Sequence, residues 1–198
     1  MTRPRRGWRL LVLVPLVLLL GVAAKPDRVA RRDYLAGYEA LTRKLVLHWD
    51  FETALILRGT YLTPDYRMKI AEERRRLLHA PEADHQSFIA TMKSDADAYH
   101  EVVFSADSGM PEGERFGKGD DGWAVRLFAD GTQETLVTLF QERDPNMLQR
   151  SLYPHFNLWS DLWIARFRRT VTDPDRIVLE VGGGYGNGEL VWDGLRSR

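Results

Sequence analysis

From residue 101 onward the chain breaks into short runs of branched and aromatic residues separated by turn chemistry, and this texture narrows the possible folds more than any other feature. The runs are Glu101 to Ser105 (EVVFS), Trp123 to Ala129 (WAVRLFA), Thr135 to Phe140 (TLVTLF), Leu162 to Arg168 (LWIARFR), Arg176 to Val181 (RIVLEV) and Glu189 to Asp193 (ELVWD). Each has the length and composition of a strand. Trp123, Val125 and Leu127 share one face of the second run, and in the fourth Trp163, Ala165 and Phe167 lie opposite Ile164, Arg166 and Arg168. Such alternation marks half-buried antiparallel strands. Asp130-Gly131 is a hairpin signal that turns the second strand into the third. Six strands without long helices between them predict a small antiparallel β-sandwich. Asp144 to Asn157 forms a longer connection with a helical turn near Met147 to Arg150.

The preceding stretch has a different period. From Asp27 to about Arg58, apolar residues at Tyr34, Tyr38, Leu41, Leu45, His48/Trp49 and Leu55/Ile56 step by three and four, which predicts one long helix. Gly59 and Thr60 would end it. Thr63-Pro64-Asp65 then supplies an N-cap, a first-turn proline and a favourable N-terminal charge for a second helix, whose apolar face is Tyr66, Ile70 and Leu77. Arg74, Arg75 and Arg76 read as a solvated surface paired with Glu72 and Glu73 rather than a ligand clamp. Pro81-Glu82 opens a third helical stretch, with Phe88, Ile89, Met92, Ala96 and Tyr99 at helical spacing. The expected fold class is therefore α+β, N-terminal helices followed by a small antiparallel β-sandwich, with residues 25–100 helical and 101–198 sandwich-like.

Ahead of both lies Leu10 to Ala24, an uninterrupted apolar run of 15 residues behind Arg3, Arg5, Arg6 and Arg9. This is the n-region and h-region pattern of an export signal. As a helix it reaches about 22 Å, short of the roughly 30 Å hydrocarbon core. Val22-Ala23-Ala24 offers small residues for a signal peptidase, so residues 1–24 are expected to be a signal peptide, or else a retained membrane anchor through residues 10–24. Either places the rest of the chain in the periplasm or facing the extracellular side.

Charge and composition exclude several function classes. The 28 basic and 28 acidic residues balance, but all four charges of the first 24 residues are arginines, so the remainder carries 24 bases against 28 acids. That balance argues against nucleic acid as a partner. With 44% hydrophobic residues the chain has material for a core. Cysteine is absent, which removes disulfides, thiolate metal sites and cysteine nucleophiles together.

No complete catalytic constellation appears. The five histidines, His48, His79, His85, His100 and His155, include no H-E-x-x-H, and no serine sits in a G-x-S-x-G elbow. His48, on the apolar face of the expected first helix, reads as a core or boundary histidine. The acidic, glycine-rich stretch Asp107 to Gly122 lacks the regular oxygen-ligand spacing of a calcium loop and reads as a solvated loop. Leu152-Tyr153-Pro154-His155-Phe156 with Leu158, Trp159, Leu162 and Trp163 is dense in aromatic residues, and reads as core and sheet cover, an exposed binding patch being the alternative.

One motif carries a specific resemblance. In Val178-Leu179-Glu180-Val181-Gly182-Gly183-Gly184-Tyr185-Gly186, the acid Glu180 and the glycines at 182, 184 and 186 resemble the first motif of S-adenosylmethionine-dependent methyltransferases. That loop needs a helix behind it and a second strand with a terminal acid roughly 20 residues on. Here Gly188 and Gly194 interrupt the following segment and only 12 residues remain after Gly186, so a glycine-rich hairpin joining RIVLEV to ELVWD is expected instead. A broader resemblance rests on a helical N-terminal segment followed by the tryptophan-led strand from Trp123, the Asp130-Gly131 turn, Leu152-Tyr153-Pro154, the aromatic strand ending in Arg166-Phe167, and the strand from Gly188 to Trp192. Together these look like a group of uncharacterised exported bacterial proteins, a resemblance that implies architecture and envelope location and no activity.

The sequence thus points to a non-enzymatic interaction or structural module of the bacterial cell envelope, with an envelope protein as partner. No catalytic, cofactor-binding or metal-ligating residue is assigned. The alternatives are a methyltransferase remnant built on Glu180 to Gly186, and a metal-assisted hydrolase that would gather distant histidines and acids.

Overall fold

The computed structural model describes residues 26–107, 116, 122–142, 144–157 and 160–196. The expected export segment, and most of the Asp107 to Gly122 loop, lie outside the described residues. Helix α1 (Pro26–Leu41) buries Tyr34, Tyr38 and Leu41 at the expected spacing. It ends there. Thr42–Trp49 is strand β1 and Glu52–Tyr61 is strand β2, an antiparallel hairpin where the spacing had predicted continued helix to Arg58. The physical reason is that Leu45-Val46-Leu47 and Ala54-Leu55-Ile56-Leu57 are continuous apolar runs, which a one-sided helix would leave partly in water. As sheet, Leu47, Ala54, Leu55 and Leu57 are buried and Leu45, Val46 and Ile56 half-buried, with β2 covered on both faces. Asp50 turns the hairpin at φ 52, in a conformation that aspartate tolerates better than most residues. Gly59 does not break a helix; it lies inside β2, where a side-chain carbon would sit 2.6 Å from Cδ1 of Leu190.

Helix α2 (Pro64–Leu78) begins as the sequence predicts, with Oγ1 of Thr63 accepting from the Tyr66 amide at 3.1 Å and Pro64 in the first turn. His79 caps its other end in the left-handed conformation. Helix α3 (Glu82–Ala98) follows, and the arginine run is consumed locally. Arg74 lies over the Phe88 ring at 4.4 Å, Arg75 pairs with Glu82 at 2.8 Å and Arg76 with Glu73 at 2.8 Å.

The remaining strands are β3 (Tyr99–Asp107), β4 (Ala124–Ala129), β5 (Thr132–Glu134), β6 (Leu136–Glu142), β7 (Asp161–Arg168), β8 (Ile177–Gly183) and β9 (Gly186–Trp192), with helix α4 (Met147–Leu152) between β6 and β7. They form a five-stranded sheet in the order β1-β2-β3-β7-β6 and a four-stranded sheet in the order β5-β4-β8-β9, antiparallel throughout. Each of the six expected strands is present, within a few residues of its expected ends. The Asp130-Gly131 turn, with φ 47 and 83, forms as expected but leads into the short β5 and not into the expected Thr135 to Phe140 strand; the chain leaves that sheet at Thr135 and enters the other as β6, which pairs with β7.

The fold is three layers. Between the sheets lie Leu55, Leu57, Val102, Phe104, Trp163, Ala165 and Phe167 from one side and Val125, Leu127, Ile177, Leu179, Leu190 and Trp192 from the other. The outer face of the five-stranded sheet, with Val103 and Leu162, is covered by Tyr34, Tyr38, Tyr66, Ile70 and Leu152 of α1, α2 and α4. One seam of the sandwich is closed by β1 against β9. Nε of Arg43 donates to the Val191 carbonyl at 2.9 Å, and a side-chain carbon on Gly188 would lie 2.6 Å from Cδ1 of Leu45.

Candidate functional site

The methyltransferase-like glycines close a hairpin. β8 and β9 pair antiparallel from Ile177↔Trp192 to Gly183↔Gly186, with Gly184 and Tyr185 as the turn. A strand follows the loop where a cofactor site of that type needs a helix. Glu180 points across the sheet to Arg126, with Oε2 and Nη2 3.0 Å apart. The glycines have packing reasons: a side-chain carbon on Gly183 would sit 2.7 Å from Cε3 of Trp123, whereas Gly184 faces open space. The left-handed backbone of the turn is at Gly186, with φ 130.

The histidines are dispersed, and among the described residues no group of three or more histidine, aspartate or glutamate side chains could hold a metal ion. His48 is exposed on β1, not a core or boundary residue of a helix. His85 lies 3.1 Å from Oε1 of Glu72. His155 stacks on Tyr38, neither ring nitrogen has a hydrogen-bond partner, and burial pushes its pKa down to about 4.

His100 anchors the most developed buried network. Its Nε2 faces the Val171 carbonyl at 3.0 Å and so carries the proton, which leaves Nδ1 to accept from the Tyr61 hydroxyl at 2.8 Å. Burial holds the imidazole neutral, with a pKa lowered to about 4. Oε1 of Glu134 lies 3.6 Å from Nε2, and the Glu134 carboxylate accepts from the amides of Thr170 and Val171 and from the Thr170 hydroxyl. Burial also raises the Tyr61 hydroxyl to about 12, so it remains a proton donor rather than a nucleophile. The network fastens the loop after β7 to the chain crossing at Glu134. A second network joins Glu101 to Arg67 at 3.5 Å and to Arg166 at 2.8 Å, and Arg166 to Asp95 at 3.1 Å. Buried charges are tolerable only when paired in this way.

Tyr61 also lines a cleft of about 410 Å³ with Tyr66, Lys69, Arg169 and Arg196. Its arginines are turned to structural use. Arg169 donates to the carbonyls of Ala96 and Thr172, and Arg196 donates to the Asp173 carbonyl at 2.6 Å and to the Asp130 carboxylate at 2.8 Å.

Two surfaces expose large apolar side chains instead. Leu136, Val137 and Phe140 on β6 and Met147 on α4 are exposed, and β6 is an edge strand of the five-stranded sheet. At the opposite edge, Trp49 and Phe51 are exposed at the β1–β2 tip. Neither surface was singled out by sequence, because apolar periodicity marks a residue as inward or outward only relative to a strand whose neighbours are known. In the aromatic-dense segment Leu152, Leu162 and Trp163 are buried, Tyr153 and Phe156 are half-buried against the helical layer's core, His155 is half-buried and Pro154 exposed, while Leu158 and Trp159 lie outside the described residues.

No family model matches the chain. No curated protein matches it. Among solved structures it is similar, with a TM-score of 0.43 and 12% identity over 88% of this chain and 89% of the other, to a protein of unknown function from Burkholderia pseudomallei.

Proposed function

We propose that this protein is a non-enzymatic interaction module of the bacterial cell envelope, exported through residues 1–24 and held at or near the membrane if residues 10–24 are retained as an anchor. The observation that carries the interaction role is β6. Its outer edge has no strand partner among the described residues, and it presents Leu136, Val137 and Phe140 to solvent. An edge strand offers unpaired backbone groups to an incoming chain, and apolar side chains there add burial to the backbone pairing. The groups best placed for chemistry, Tyr61, His100 and Glu134, already spend hydrogen bonds on holding loops together, which supports a binding role over a catalytic one.

The test is site-specific photocrosslinking in intact cells. A photoreactive residue at position 140 should give one discrete adduct in the envelope fraction, and one at Lys93, exposed on α3, should not. Recovery of the protein in the cytoplasmic fraction, or the same adduct pattern from both positions, would sink the proposal.

A further inference from the structure

We propose that the tips of the β1–β2 and β8–β9 hairpins form a binding site for a neutral glycan, recognised through one pyranose ring. This site lies at the β1 edge of the five-stranded sheet, the edge opposite β6, so it goes beyond the strand-edge reading and stands or falls apart from it. A shift of register between Leu47 and His48 carries the end of β1 out of the core, and Trp49 is left 48% exposed. Its ring meets Tyr185 edge to face, with centroids 5.5 Å apart and planes at 81°. Tyr185 occupies the β8–β9 turn and packs against the core between the sheets, so the corner made by the two rings is anchored. Phe51, in the β1–β2 turn itself, is fully exposed.

The identity of these side chains points to the ligand. All three are aromatic, with planar faces of negative quadrupole and little rotamer freedom to lose. A pyranose with equatorial hydroxyls presents a face of C–H bonds, weakly positive and apolar, that stacks on such a ring. Its hydroxyls need acceptors at the rim, and Asp50, Glu52 and Asn187 are exposed on the same two tips. A few polar groups around an aromatic surface are the usual composition of a small-ligand site. Charge narrows the choice further. Two carboxylates at the tip repel phosphate and anionic lipid, which excludes an anionic ligand; a cation would also suit carboxylates and ring faces, and the insensitivity to salt expected of a sugar separates the two. The right angle between the rings suits one sugar seated in a corner, and hence an oligosaccharide or chain end rather than the flat surface of a packed polymer.

The test is titration of the full-length protein with chitohexaose and with cellohexaose, followed by tryptophan fluorescence and calorimetry. Saturable binding of at least one is expected, and raising the salt concentration should leave it unchanged. Trp49→Ala and Tyr185→Ala should each weaken it by about tenfold, the scale of one aromatic contact. Trp49→Tyr, which keeps a ring, should retain most of the affinity, and Phe140→Ala at the opposite edge should retain all of it. An unchanged unfolding midpoint for Trp49→Ala would assign its loss to the site rather than the fold. Absence of saturable binding to either sugar overturns the proposal. Sedimentation with phosphatidylcholine vesicles that Trp49→Ala abolishes, without sugar binding, overturns it in favour of a lipid interface.

Discussion

The indole Nε1 of Trp192 donates to the carbonyl oxygen of Leu41 at 2.6 Å, tying the last strand of the smaller sheet to the C-terminal end of α1. The two residues are 151 positions apart, and both are buried. A single hydrogen bond thus joins the helical layer to the far side of the sandwich, across the edge where β1 meets β9. Trp192→Phe keeps most of the ring and leaves the carbonyl without its donor, so it should cost about 1–3 kcal/mol. Trp192→Ala also opens a cavity and should cost about 3–5 kcal/mol. Urea denaturation of both variants separates the two contributions, and a cost near zero for Trp192→Phe would mean that the hydrogen bond contributes nothing.

Trp123, Trp163 and Phe167 all point between the sheets. Each alanine substitution should therefore cost about 3–5 kcal/mol. Arg75→Ala, which loses one exposed pair with Glu82, should stay within about 1 kcal/mol. Chemical denaturation compares them directly.

The glycines of the β8–β9 hairpin should divide sharply. Gly183→Val and Gly188→Val drive a branched side chain into Trp123 and Leu45, and should destabilise by about 1–3 kcal/mol or more. Gly184→Val meets nothing within 4 Å and should be close to neutral in thermal unfolding. None of the three should alter S-adenosylmethionine binding, because calorimetry should find none in the parent protein.

Acid should destabilise the fold through two imidazoles. His100 and His155 have folded pKa values lowered to about 4, against an ordinary 6.5. Between those values the unfolded chain binds more protons than the native one, so stability falls as pH drops from about 6.5 towards 4, by an amount on the order of 3 kcal/mol for the fully buried His100 and less for the half-buried His155. His155→Phe removes a ring whose nitrogens have no partner, so it should be tolerated at neutral pH and flatten part of this slope. Denaturation midpoints across the range, with NMR titration of the imidazoles, provide the check. His100 or His155 titrating near 6.5 would contradict its environment.

If residues 1–24 are a cleaved signal, the mature protein begins at Lys25 or within a few residues of it. N-terminal sequencing of native material tests this. Met1 or Thr2 on a chain extracted from membranes would identify an anchor instead.

Local chemistry was legible wherever one stretch of chain suffices to satisfy it. The Thr63-Pro64-Asp65 start of α2, the Asp130-Gly131 turn and the alternation of Trp163, Ala165 and Phe167 all follow from backbone valence and period, and the structure has each of them. The hairpin at residues 182–188 was legible for a similar reason, since the segment after the glycines is itself interrupted by glycine and is a poor helix.

Residues 42–61 are strands whose apolar spacing continues that of α1, and β2, covered on both faces, has no alternation to betray it. Only partners distant in sequence, β3 on one side of the hairpin and β9 against its edge, settle those residues as sheet. The same holds for the candidate surfaces. Trp49 and Tyr185 are 136 positions apart and Phe140 lies on a strand whose place at the edge depends on where β7 pairs. Local sequence sets hydrogen-bonding need and periodicity; exposure, register and the meeting of two loop tips arise from long-range packing, whose free energy belongs to no single segment.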